Sequence, residues 1–138
     1  MFFKNRNKPQ NRIDTLIGAA TRINGDIYFT GGLRVDGTVH GDVNEEVSTP
    51  SALVLSEQGT IEGAVVVSQV VLNGRVVGPV HAKEFVELQP KARVVGDVYY
   101  KSLEMHTGAV IEGNLIYQGE SQETRLLTNK DLPVENKD

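Results

Sequence analysis

A five-residue pattern, aliphatic, any residue, glycine, any residue, aliphatic, returns six times along this chain. It reads Ile23-x-Gly25-x-Ile27, Val39-x-Gly41-x-Val43, Ile61-x-Gly63-x-Val65, Val76-x-Gly78-x-Val80, Val94-x-Gly96-x-Val98 and Ile111-x-Gly113-x-Leu115. Successive motif glycines lie 16, 22, 15, 18 and 17 residues apart. A repeat of this length constrains the architecture before any local motif does. One unit cannot bury its own apolar residues and has to stack on its neighbours.

The positions around the motif repeat as well. Four or six residues before its first aliphatic stand Ile17, Val35, Leu55, Leu72, Leu88 and Met105. Two residues earlier come Thr15, Leu33, Leu53, Val70, Val86 and Leu103. After the motif the alternation continues to Phe29, Val67, Ala82, Tyr100 and Tyr117, with Glu45 at this place in the second unit. A polar excursion from Asn44 to Ser51, including Pro50, interrupts the chain there. Period-two spacing marks short strands. Hairpins would not keep all these columns in register, whereas coils stacked in parallel would. Six coils at about 4.8 Å give a rod of roughly 29 Å. The three-residue steps from Val67 to Val70 and from Tyr100 to Leu103 are expected corners, and three corners per coil predict a triangular section. Gly18, Gly59, Gly74 and Gly108 are expected in turns with positive φ. The motif glycine is expected at a bend where opposite walls approach closely.

The predicted fold is therefore all-β: a single-domain parallel β-helix, or β-solenoid, of about six coils over residues 13–117. A basic segment, 1–12, precedes it, and a polar tail, 118–138, expected to be disordered, follows it. The chain's 138 residues suit one such domain. With no cysteine there is no disulfide framework, thiolate metal site or cysteine nucleophile, and a reducing, cytoplasmic compartment is the simple expectation. A net charge of −4 argues against a nucleic-acid partner. No apolar run approaches the roughly 20 residues of a membrane span. The N-terminus lacks the apolar stretch of a secretory signal, so the basic segment is expected to stay on the protein.

Little in the sequence points to catalysis. His40, His81 and His106 fall in different columns and read as outward or corner residues, and no nucleophile–base pair or phosphate-cradling loop is visible. Asp26, Asp42, Asp97 and Asn114 do share a column, but Ala64 and Pro79 interrupt it. Asp and Asn favour the corner backbone after glycine, so no metal site and no cofactor is expected.

The ends of the rod are more informative. A solenoid without caps leaves strand edges and its core open, and polar sequence on both sides of the repeat offers no apolar cap. End-to-end self-association follows, with Ile23, Ile27 and Phe29 as interface residues at one end and Ile111, Leu115 and Tyr117 at the other. The segment Met1, Phe2, Phe3, Lys4, Arg6 and Lys8, with Arg12 beyond and no acid before Asp14, has the composition of a membrane-surface anchor. Leu126-Leu127 in the tail is either a docking spot for a partner or a local contact.

The pieces Gly25-Asp26-Ile27, Gly41-Asp42-Val43, Gly96-Asp97-Val98 and Gly113-Asn114-Leu115, and the segment from Leu33 to Val43, resemble the bactofilins, bacterial polymer-forming cytoskeletal proteins. The resemblance covers residues 13–117. It implies a right-handed β-helix and nonpolar filaments that form without a nucleotide through contacts between like ends. It also implies roles in cell shape and in positioning cell-wall enzymes as clients, at the inner face of the cytoplasmic membrane. Two other readings stay open on the residues. One is a left-handed β-helix acyltransferase, whose strict 18-residue coil the glycine spacing does not keep. The other is a carbohydrate-binding β-helix, which needs an exposed aromatic track.

Overall fold

The computed structural model describes residues 12–119, and every regular element among them is a strand. In the first coil, β1 (Thr15–Ile17), β2 (Arg22–Asn24) and β3 (Ile27–Phe29) lie on three successive faces. The second coil holds β4 (Gly32–Val35), β5 (Thr38–His40) and β6 (Val43–Glu45). The third begins with β7 (Ala52–Leu55) and β8 (Thr60–Glu62), and β9 (Val65–Leu72) carries it into the fourth. Next come β10 (Arg75–Val77), β11 (Val80–Leu88), β12 (Arg93–Val95) and β13 (Val98–Tyr100), and the last coil is β14 (Leu103–Met105), β15 (Val110–Glu112) and β16 (Leu115–Tyr117). All pairings are parallel, between one coil and the next. The result is a triangular β-solenoid of six coils.

The columns expected from the repeat are the observed register. On the first face Thr15, Leu33, Leu53, Val70, Val86 and Leu103 stand in line, beside Ile17, Val35, Leu55, Leu72, Leu88 and Met105. The second face contributes Ile23, Val39, Ile61, Val76, Val94 and Ile111. The third contributes Ile27, Val43, Val65, Val80, Val98 and Leu115. In the four middle coils these side chains are almost wholly buried and form one core. Their small, branched shapes fit a narrow triangular interior and favour the extended backbone.

The corners differ from expectation in two details. The step from Val67 to Val70 is a corner, but β9 runs through it unbroken, and β11 does the same with a register shift between Ala82 and Phe85. Faces one and three therefore join into a ten-stranded sheet, while face two is a separate six-stranded one. The motif glycines do mark a bend, but opposite walls are not what crowds it. A Cβ on Gly41, Gly63, Gly78, Gly96 or Gly113 would run into the carbonyl of the motif glycine one coil below. Of the turn glycines, Gly108 has a positive φ, of 107°. Gly59 and Gly74 instead sit against backbone carbonyls of neighbouring turns, those of Val35 and of Ser56 and Gly59.

Side chains complete the ladder at the glycine bend. Asp26 Oδ1 accepts the backbone N–H of Asp42 at 2.8 Å, Asp42 Oδ1 that of Ala64 at 2.9 Å, and Asp97 Oδ1 that of Asn114 at 2.9 Å. Pro79, which has no N–H to donate, occupies this column one coil above Ala64, which has no side-chain acceptor. The Asp column thus holds the corner backbone, as its residue types suggested.

Candidate functional site

Both ends of the rod expose what its middle conceals. Among the described residues, β1, β2 and β3 pair only upward, with β4, β5 and β6, and β14, β15 and β16 pair only downward, with β11, β12 and β13. Within the described residues, one ladder of N–H and C=O groups on each outer coil has no strand partner. The core columns surface at the same places.

At the C-terminal end Leu115 is 44% exposed, Tyr117 58% and Met105 43%, whereas their column neighbours Val98 and Leu88 are buried. Ile111 is half-buried. Tyr117 packs on Tyr100 with ring centroids 5.8 Å apart. Gln118 N–H donates to Tyr100 O at 2.7 Å, which carries the third-face ladder one residue past the strand. At the N-terminal end Ile23 and Ile27 are half-buried and Phe29 is buried, so of the three expected residues there Phe29 offers the least surface. Ile13, Leu16 and Tyr28 are more exposed. Leu16 and Tyr28 face outward and Ile13 precedes β1, so sequence reasoning, which followed the inward columns, passed over these three, while Met105 was placed in its column but not among the end residues.

Asp14 braces the first coil. Its N–H donates to Gly32 O at 2.8 Å, and its Oδ2 accepts the Gly32 N–H at 2.8 Å. That hydrogen bond, with Arg12 Nε 2.9 Å from Oδ1, holds the Asp14 carboxyl below its ordinary range. Met1, Phe2, Phe3, Lys4, Arg6 and Lys8, expected at a membrane surface, lie outside the described residues, as does the tail from residue 120.

Along the sides of the rod the three histidines each have a partner. His40 Nδ1 is 2.9 Å from Glu62 Oε1, and His81 stacks on Tyr99 at 4.3 Å with the rings 3° from parallel. His106 Nε2 lies 3.0 Å from Glu87 Oε2 and 3.1 Å from Glu104 Oε2. Glu87 and Glu104 are in register on adjacent strands, so the imidazole stands between two carboxylates that otherwise face each other. These three side chains offer ligand atoms within 4.8 Å of one another, a grouping that could hold a metal ion and that a shared histidine column would not reveal. The signal was in the register: aligning Leu88 with Met105 also aligns Glu87 with Glu104.

The one charged residue in an apolar column, Glu45, is buried. Its Oε1 accepts the N–H groups of Ser51 at 2.9 Å and Ser68 at 2.8 Å, its Oε2 accepts the Ser68 hydroxyl at 2.8 Å, and Lys83 Nζ lies 3.1 Å away. Burial pushes this carboxyl up, but the bonds from Ser68, Ser51 and Lys83 outweigh it and leave it below its ordinary value. The excursion after β6 is thereby tied down at Glu45 and Ser51, and residues 46–50 between them are exposed, Val47 at 90%.

Comparison with known proteins converges on these features. Residues 15–116 match the family model "Bactofilin: Polymer-forming cytoskeletal". The chain is 32% identical over 102 residues to bactofilin BacO of Myxococcus xanthus, covering 74% of this chain and 78% of that one. It is 31% identical over 102 residues to BacP of the same organism, covering 74% of this chain and 41% of the longer BacP. Among solved structures, the bactofilin of Thermus thermophilus, reconstructed by electron cryomicroscopy as double helical filaments, superposes with a TM-score of 0.65 at 31% identity, over 73% of this chain and 98% of that one. The cytoskeletal bactofilin BacA, solved by solid-state NMR, gives a TM-score of 0.65 at 34% identity, over 78% and 96%. With the motif, the six-coil solenoid and these relatives in agreement, the chain belongs to the bactofilin family of polymer-forming cytoskeletal proteins.

Proposed function

We propose that this protein is a structural scaffold that grows end to end into filaments and that two such filaments pair, as the double helical filaments of the Thermus thermophilus protein suggest. The observation that carries the reading is the pair of open outer coils, each with free strand edges and a partly exposed core column. Stacking another rod on such a coil completes its hydrogen-bond ladder, and fully burying a leucine contributes about 1.5–3 kcal/mol. Growth of this kind needs no nucleotide and no catalytic group. The basic N-terminal segment with Phe2 and Phe3 holds the polymer on the cytoplasmic face of the inner membrane, where it supports cell shape or positions cell-wall enzymes.

The decisive test is Leu115→Arg, which places a cation on the C-terminal coil without touching the middle of the core. The variant should keep the wild-type circular dichroism spectrum but stay in the supernatant on ultracentrifugation, while the wild type pellets without nucleotide. Filaments formed by the variant would remove this end from the interface.

A further inference from the structure

The three sides of the rod differ in a way that singles out one of them. Face one presents outward Leu16, Arg34, Val54, Val71, Glu87 and Glu104 in register. Face two presents Arg22, Thr38, Thr60, Arg75, Arg93 and Val110. The outward column of face three is Tyr28, Asn44, Val66, His81, Tyr99 and Ile116, with no carboxylate, ammonium or guanidinium in it. Tyr28 is 64% exposed at one end, and the His81–Tyr99 stack makes a flat aromatic step near the other. Val66, His81, Ala82, Lys83, Tyr99 and Gln118 line a shallow groove of about 370 Å³ beside that step.

We infer that this face-three strip is the lateral surface through which one filament packs against a second filament of the same chain. The inference rests on the paired-filament reading above. Rods joined only through their ends make a single strand, so a pair requires a side surface as well. The strip is continuous with both ends, because Tyr28 lies between Ile27 and Phe29 and Ile116 between Leu115 and Tyr117. Where stacked rods keep face three aligned, the strip runs on along the polymer, and a patch too small to hold two rods acts many times over in two filaments. Its composition fits a second copy better than an anionic membrane, since the arginines Arg22, Arg75 and Arg93 lie on face two and Lys83, at the groove's edge, is paired with Glu45.

The test is negative-stain microscopy of full-length protein carrying Val66→Glu and Tyr99→Glu, beside the wild type and Thr60→Glu on face two. Wild type and Thr60→Glu should give double-width filaments, and the face-three variant single-width filaments of similar length. If the milder Tyr99→Ala replaces it because the double variant misfolds, the paired fraction should drop at least severalfold with an unchanged circular dichroism spectrum. Wild-type filaments that are all single-width, or face-three variants that still pair, overturn the inference while leaving end-to-end growth standing. Two further outcomes also overturn it: pairing that disappears when residues 120–138 are removed gives the strip to the tail, and face-three variants that stay paired but leave anionic vesicles give it to the membrane. A wild type that forms no filaments refutes the end-to-end reading instead.

Discussion

Glu45 and Ser68 are joined twice across one coil, the Ser68 N–H donating to Oε1 at 2.8 Å and the hydroxyl to Oε2 at 2.8 Å. With Ser51 and Lys83 added, one carboxylate gathers donors from three successive coils at the corner where the chain makes its longest excursion. Glu45→Ala removes the acceptor and strands two backbone N–H groups, those of Ser51 and Ser68, near the core. The expected loss is about 3 kcal/mol, and about 1–2 kcal/mol for Glu45→Gln, which keeps the shape but not the charge. Urea denaturation in the Leu115→Arg background, where the rod stays unpolymerised, measures both. A loss below about 1 kcal/mol for the alanine variant would locate the stability of this corner elsewhere.

The same carboxylate, with Asp14, sets an acid limit. Both pKa values are lowered in the folded rod, Glu45 from 4.5 and Asp14 from 3.8. The unfolded chain therefore takes up these protons more readily, and stability falls as pH falls. The contribution of the two groups is complete above their ordinary values and is lost as pH drops through 4.5 and 3.8 toward the lowered ones. Denaturation curves at about pH 7 and pH 5 should agree as far as these groups are concerned, with the decline setting in near pH 4. Glu45→Gln should decline less steeply, so that its deficit against the wild type shrinks in acid. A constant deficit from about pH 7 down to pH 3 would mean that the charge of Glu45 contributes nothing.

The inward columns were legible because a period of two within a strand and a period near 17 between coils leave each apolar residue one place to go. Leu33, Leu53, Val70 and Val86 could be aligned without coordinates. The Glu45 corner could not be read that way. Its partners stand 6, 23 and 38 residues along the chain, at Ser51, Ser68 and Lys83, and a lone acid in an apolar column reads as an interruption. The outward columns were also legible in principle. They follow from the same register, but polar and apolar residues mix there, so periodicity draws no attention to Tyr28, Val66 and Tyr99. At the ends, Met105 belongs to an inward column of the last coil, so the reasoning that named Ile111 and Leu115 reaches it as well, whereas Leu16 lies in an outward column of the first.

The glycine column separates crowding from conformational freedom. At Gly96 a Cβ would lie 2.5 Å from Gly78 O, and φ is 143°. Gly96→Ala must both shift a coil and adopt a strained backbone, for an expected loss above about 3 kcal/mol or outright failure to fold. At Gly18 an added Cβ would meet no described atom within 4 Å, and φ is not positive. Gly18→Ala should change stability by no more than about 0.5 kcal/mol. Thermal melts of the two variants in the Leu115→Arg background make the comparison. Equal losses would refute the coil-on-coil origin of the glycine requirement.

Membrane attachment by the N-terminal segment should behave as many weak contacts in parallel. Each basic residue close to an anionic surface contributes about 1 kcal/mol, and the attraction fades within a Debye length. Lys4, Arg6, Lys8 and Arg12 together should hold one rod only weakly, with Phe2 and Phe3 adding apolar insertion. On a filament the same segments should act together, and avidity should make the proposed attachment firm. In a density gradient, wild-type filaments should therefore float with vesicles containing anionic lipid and stay at the bottom beside neutral ones. Replacing Phe2 and Phe3 by alanine should release the filaments without shortening them. The Leu115→Arg rod, with its anchor intact but no polymer, should bind the same vesicles at least tenfold more weakly, and raising the salt should weaken both. Equal vesicle binding by the rod and the filament would show that one segment suffices and that polymerisation plays no part in attachment.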